Sequence, residues 1–143
     1  MGLIVKTSSR AVIPLIGIFG AYIVMHGHLT PGGGFQGGAT IAGAGILFLV
    51  AFGLDEMKKR YNKSLYSALE GIGGLAFLGV AMLGMSVAFF YNTLWHTWPF
   101  NGKPGTLLSA GFLPIMNLAV GLKVFTGLVS ALTAIATYRR WKS

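Results

Sequence analysis

Composition, span length and charge placement together predict an all-α, polytopic integral membrane protein with four transmembrane helices and both termini cytoplasmic. The 143 residues are 54% apolar and only 10% charged, with a mean hydropathy of +0.70. Soluble chains carry roughly a quarter charged residues, so three carboxylates and eleven basic groups cannot clothe a water-facing globule of this length. Soluble-enzyme classes therefore drop out first. The formal charge of +8 does not point to nucleic acid either, because the basic residues stand in short clusters between long apolar runs, as at cytoplasmic membrane flanks. The chain contains no cysteine, which excludes disulfides, thiolate metal sites, iron–sulfur ligation and a cysteine nucleophile.

A hydrocarbon core about 30 Å thick takes roughly 20 apolar residues of helix. Residues 11–28, 35–54, 68–91 and 110–137 meet that length. Barrel strands would be near ten residues with alternating polarity, a pattern absent here, so helices are the way to satisfy the backbone in lipid. The first span follows Lys6 and Arg10 and imitates a secretory signal, but no small-residue cleavage site is visible and a retained helix is expected. The second carries small residues at four-residue spacing, Gly34, Gly38 and Ala42, a face that permits close helix approach. Asp55 to Ser67 is the hydrophilic linker, and the third span repeats the small-residue theme at Gly71, Gly73, Gly74, Gly79 and Gly84. The fourth has Pro114 and Asn117 toward its outer end. One membrane domain, 1–143, uses the whole chain.

Orientation follows from charge. Lys6 and Arg10 precede the first span, Lys58, Lys59, Arg60 and Lys63 follow the second, and Arg139, Arg140 and Lys142 follow the fourth. The opposite side receives His28 to Gly34, without formal charge, and residues 92–109, with Lys103 alone. The positive-inside rule then places both termini in the cytoplasm of a multi-pass cell-membrane protein. Trp95, Trp98 and Phe100 fit an outer aromatic belt; Tyr61, Tyr66, Tyr138 and Trp141 fit an inner one.

Two segments carry candidate chemistry. The connection between the first two spans reads His26-Gly27-His28-Leu29-Thr30-Pro31-Gly32-Gly33-Gly34-Phe35-Gln36-Gly37-Gly38. It contains a formal G-x-G-x-x-G at Gly32, Gly34 and Gly37, but a dinucleotide site needs that string between a strand and a helix, so nucleotide binding is rejected. Pro31 ends a helix and the glycines allow close backbone approach. Two readings follow: a re-entrant turn lining a hydrated pocket, or a tight outer hairpin packed on neighbouring helices. His26 and His28 point in nearly opposite directions on a helix, with no carboxylate nearby and only His96 to bring in, so no metal or cofactor site is expected. They read as hydrogen-bonded interfacial side chains or as members of a proton relay.

The second segment is centred on Lys123, the one basic residue inside a span, about 14 residues from the inner boundary or roughly 20 Å along a helix. Facing lipid, a charged lysine costs on the order of 3 kcal/mol, so it belongs against protein or water. Thr126, Ser130, Thr133 and Thr137 follow at spacings of four or three, one polar stripe running from Lys123 toward the cytoplasm. Such hydroxyls either hold waters for a proton path or form an inter-helix hydrogen-bonded seam with Lys123 paired to a carboxylate. Glu70 caps the start of the third helix or, if that helix begins earlier, stands at the mouth of the stripe as a proton acceptor or cation ligand.

The string from His26 to Gly38, its core Pro31-Gly32-Gly33-Gly34-Phe35-Gln36-Gly37-Gly38, the four-helix topology and the fourth-span segments Pro114 to Asn117 and Gly121 to Val124 resemble the B-type subunits of the multisubunit sodium/proton antiporters called Mrp or Mnh. The likeness covers most of the chain. It implies a small non-catalytic subunit that stands next to complex-I-like antiporter subunits and contributes to cation or proton movement. Similar subunits occur in archaeal membrane-bound hydrogenase and sulfane-reductase complexes, where the antiporter module joins a redox module. The family's proline, phenylalanine and intramembrane lysine correspond to Pro31, Phe35 and Lys123. The residue census agrees with a dependent subunit, since Glu70 is the one carboxylate near a span and a sodium ion needs several oxygen ligands. The alternatives are a purely structural packing subunit, or a self-sufficient homodimeric transporter using Glu70 as its coupling acid.

Overall fold

The computed structural model describes residues 2–29, 31–83, 88, 91–92 and 110–142, as five helices. Thr30, Gly84, Trp95, His96, Trp98, Phe100 and Lys103 lie outside the described residues, so the far end of the third expected span and the outer aromatic belt lie outside them too.

Helix α1 (Leu3–His26) begins eight residues before the expected span. Lys6 and Arg10 therefore ride on its first turns rather than ahead of it, because a helix continues into the polar flank where lipid ends. Thr7 Oγ1 donates to Leu3 O at 3.0 Å on this overhang. The helix closes at His26, where Leu29 N–H donates to His26 O at 2.8 Å. Helix α2 (Gly34–Phe52) ends on Gly53, whose φ of +91° is glycine territory and whose N–H donates to Leu49 O at 2.9 Å.

The hydrophilic linker holds a seven-residue helix, α3 (Leu54–Arg60), with Asp55 and Glu56 in its first turn and Lys58, Lys59 and Arg60 in its last. Both charge placements complement the helix dipole. Buried Met57 pins α3 to Ala42 of α2 and Val129 of the last helix. Helix α4 (Lys63–Leu83) starts five residues before the expected span. The cause is Asn62, whose Oδ1 accepts from Ser64 N–H at 3.1 Å and Leu65 N–H at 3.3 Å, satisfying two orphan donors as an N-cap. Glu70 is consequently two turns inside α4 and caps nothing.

Helix α5 (Leu113–Lys142) places Pro114 in its first turn, where the missing N–H has no intrahelical partner to lose. Asn92 braces its approach: Nδ2 donates to Ala110 O at 3.1 Å and Oδ1 accepts from Phe112 N–H at 3.2 Å. Four of the helices, α1, α2, α4 and α5, are long and apolar enough to cross a membrane, and the chain is a membrane protein.

Helix α1 packs on α2, α2 on α5 and α5 on α4, with a smaller contact between α1 and α5, so α5 touches each of the other long helices and is the central element. Small residues set these seams. A β-carbon at Gly20 would lie 2.9 Å from Ile41 N across the α1–α2 contact, and one at Gly38 would lie 2.5 Å from Gly121 O across the α2–α5 contact. Gly34, Gly38 and Ala42, all buried, thus form the face of α2 that meets α5. Contacts of Arg140 with Asp55 at 2.5 Å, of Arg60 with Phe48 and of Arg10 with Phe52 gather the basic clusters at one end of the bundle.

Candidate functional site

The seam between α4 and α5 places two charged residues over each other's glycines. A β-carbon at Gly74 would lie 3.3 Å from Lys123 Nζ, and one at Gly127 would lie 3.5 Å from Glu70 Oε1. Gly74 is four residues after Glu70 on α4, and Gly127 is four after Lys123 on α5. Because the helices are antiparallel, the two levels are one turn, about 6 Å, apart. Each charged side chain therefore crosses into the notch that the facing helix leaves open. Glu70 is half-buried and Lys123 is exposed on the outer surface of this chain. The ion pairs among the described residues are Lys59–Glu56 and Arg140–Asp55, so Lys123 has no carboxylate partner there.

From Glu70 toward the basic end the seam widens into a cavity of about 910 Å³. Glu70, Ser130, Thr133 and Thr137 line it, with Lys58 and Lys63 at its rim. Each hydroxyl donates into its own helix: Ser130 to Gly127 O at 3.0 Å, Thr133 to Val129 O at 2.7 Å and Thr137 to Thr133 O at 2.8 Å. Their protons are committed, and the lone pairs left over are acceptors for water or a cation.

The expected single stripe from Lys123 divides here. Thr126 is fully buried, donates to Leu122 O at 2.8 Å and, like Lys123, is not on the cavity wall. The reason is the close approach at Gly73, where an added β-carbon would meet Ala119 O at 2.9 Å and Lys123 N at 3.1 Å. That contact closes the seam at the Lys123 level, and the space opens again only beside Gly127 and Glu70.

The glycine-rich connection lies on the opposite flank of α5, and its anchor is Asn117. Gly34 N–H donates to Asn117 Oδ1 at 3.4 Å, while a β-carbon at Gly27 would lie 2.9 Å from Asn117 Nδ2 and one at Gly34 would collide with Asn117 O. A β-carbon at Gly33 would lie 3.8 Å from Oδ1 of the same amide. The glycines are thus a bed for the α5 backbone. Pro31, Phe35 and Gln36 are exposed, a β-carbon at Gly32 would lie 3.3 Å from Gln36 Oε1, and His28 is half-buried in the turn. The His26 ring stacks on Tyr22 with centroids 4.2 Å apart, its Nδ1 within 3.2 Å of Tyr22 O. The connection and Lys123 therefore sit on different faces of α5 and do not share a cavity.

The sequence alone sets Asn117 toward the outer end of its span and gives it no role. The signal that finds it is an amide inside an apolar span, which needs a partner, facing a helix start whose first N–H groups need an acceptor.

Comparison with known proteins gives the context for this geometry. A chain of the membrane-bound sulfane sulfur reductase, an archaeal respiratory membrane complex, superposes with a TM-score of 0.80 at 34% sequence identity, covering 94% of this chain and 58% of that one. An uncharacterized protein of Methanocaldococcus jannaschii is 38% identical over 133 residues, which is 90% of this chain and 50% of that protein. A protein of Staphylococcus epidermidis named as antiporter subunit mnhB2 is 33% identical over 92 residues, 63% of this chain and 64% of that protein. The chain thus spans between half and two thirds of the length of these relatives. Residues 4–130 match the domain related to the MnhB subunit of Na+/H+ antiporters, and the chain belongs to that family.

Proposed function

We propose that this protein is a membrane subunit of a cation/proton antiporter module, and that its α4–α5 seam forms one wall of an ion or proton path completed by a neighbouring membrane subunit. The observation that carries this reading is Lys123, mid-span, exposed on the chain's own surface and without a carboxylate partner among the described residues. A charged group there is costly against lipid, so the occupant opposite it is a helix from another subunit, one with a carboxylate at the same depth. Glu70 and the acceptor oxygens of Ser130, Thr133 and Thr137 line the cavity that opens one turn beyond that level toward the basic end, which we assign to the cytoplasm together with both termini.

The likeness to the sulfane sulfur reductase chain supports assembly with other membrane subunits and, in such a complex, with a redox module that this chain does not itself supply. A purely structural role is the reading favoured by the hydroxyls bonded back to their own helix and by the glycine seams. The two are separated by a photo-cross-linking side chain introduced in place of Lys123, or at its neighbour Leu122, in cells expressing the whole assembly. The expected product is a single adduct to a membrane subunit whose cross-linked helix carries Asp or Glu, whereas adducts to lipid alone would remove the pathway reading.

A further inference from the structure

At the basic end a second cavity, of about 470 Å³, opens between α1, α2 and α3. Lys6 and Arg10 from α1 and Arg60 from α3 share its wall with Phe48 and Phe52 of α2. The Arg10 guanidinium lies 5.7 Å from the centre of the Phe52 ring and that of Arg60 lies 5.4 Å from the Phe48 ring. Two aromatic faces thereby hold two arginines beside one opening. Glu56 is the carboxylate on that wall, and Lys59 Nζ already binds it at 2.7 Å. Asp55 next to it is taken by Arg140 at 2.5 Å. Among the described residues no ion pair involves Lys6, Arg10 or Arg60. Three cations from two helices therefore converge on one cleft whose single lining carboxylate, Glu56, is already bonded to Lys59, and the excess positive charge favours an anion there.

The chemistry of that anion is set by the rest of the wall. Phe48, Phe52 and Ile13 supply an apolar floor, and Leu3, Ile4 and Val50 on the same helix ends are 82%, 82% and 53% exposed. A charged head continuous with an apolar tail fits both parts, and basic pockets between transmembrane helices hold anionic headgroups elsewhere. We propose that this cleft binds an anionic phospholipid, with Lys6, Arg10 and Arg60 gripping its phosphate and the two phenylalanines lying under its glycerol and upper acyl chain. The site stands apart from the α4–α5 seam and does not depend on the pathway reading.

The test is native mass spectrometry of the full chain, extracted with its companion subunits into mild detergent and exchanged into mixed micelles of phosphatidylglycerol and phosphatidylcholine. The wild-type protein is expected to retain phosphatidylglycerol preferentially. Arg10→Gln with Arg60→Gln lowers that preference roughly twenty-fivefold, about fivefold for each charge removed, while Arg139→Gln, outside the cleft, leaves it unchanged. Lys6→Gln, which keeps both arginine–ring pairs, gives about a fivefold loss and decides the matter where the double variant fails to fold. Equal retention of the two lipids, or an equal loss with Arg139→Gln, overturns the site. Displacement of the lipid by inorganic phosphate at millimolar level would assign the cleft to a free anion and overturn the lipid reading.

Discussion

Gly74 of α4 lies beneath the Lys123 ammonium, while its neighbour Gly73 lies beneath the Lys123 backbone: added β-carbons would meet Nζ at 3.3 Å and the backbone N at 3.1 Å, respectively. Adjacent glycines thus face obstacles of opposite stiffness. A lysine tip moves aside; a helix backbone does not. Gly74→Ala is expected to leave thermal unfolding in detergent within about 0.5 kcal/mol of wild type, whereas Gly73→Ala costs about 1–3 kcal/mol as an overpacking change. Equal effects at the two positions would mean that α4 and α5 do not meet in this register.

The same contrast runs along α2. Gly38 has Gly121 O at 2.5 Å from its would-be β-carbon, whereas Gly43 has nothing within 4 Å. Gly38→Leu is expected to separate α2 from α5 and reduce the yield of assembled protein in gentle detergent extracts. Gly43→Ala removes backbone freedom from the unfolded chain and raises stability by roughly 0.5–1 kcal/mol. Melting curves for the pair check both signs.

Asn117 ties the start of α2 to α5 through Gly34 N–H. Asn117→Ala leaves that donor without its acceptor, at a cost of about 1 kcal/mol typical of a lost helix cap. Hydrogen exchange should quicken in the first turn of α2 and remain unchanged in α4. Unaltered exchange at Gly34 would show that another group serves that N–H.

At the basic end the Arg140 hydrogen bond, reinforced by its charge, holds the Asp55 carboxyl below its ordinary value of 3.8. A carboxyl with a depressed folded-state pKa contributes stability that is present above its unfolded value and is lost as pH falls through the folded one. The difference in melting temperature between wild type and Asp55→Asn is therefore expected to be small but present near neutral pH. It vanishes in acid below the ordinary carboxylate range. Both partners are exposed, so raised salt shrinks the difference as well.

The four spans were legible because lipid imposes length and apolarity on every crossing helix, and the Gly34, Gly38 and Ala42 face was legible because small residues at four-residue spacing have one common use. The helix ends were less so. The beginning of α4 is set by an Asn62 side chain and that of α1 runs out into polar sequence, neither of which hydropathy measures. Periodicity placed Lys123, Thr126, Ser130, Thr133 and Thr137 on one side of a helix. It could not show that Thr126 is buried and that only the last three hydroxyls line a cavity, because that depends on how helices distant in sequence pack around α5. The pairing of Gly34 with Asn117 was hidden for the same reason.

The most direct test of the pathway is cation-linked proton transport in membrane vesicles that contain the complete assembly, comparing wild type with Lys123→Met and Glu70→Gln, with Gly43→Ala as the packing control. Subunit content is measured in the same vesicles. The expected result is normal assembly in all four, transport reduced at least tenfold in Lys123→Met and Glu70→Gln as for loss of a proton-transfer group, and unchanged transport in the control. Full transport by Lys123→Met in an intact assembly would contradict a path along the α4–α5 seam and leave the lysine a packing residue.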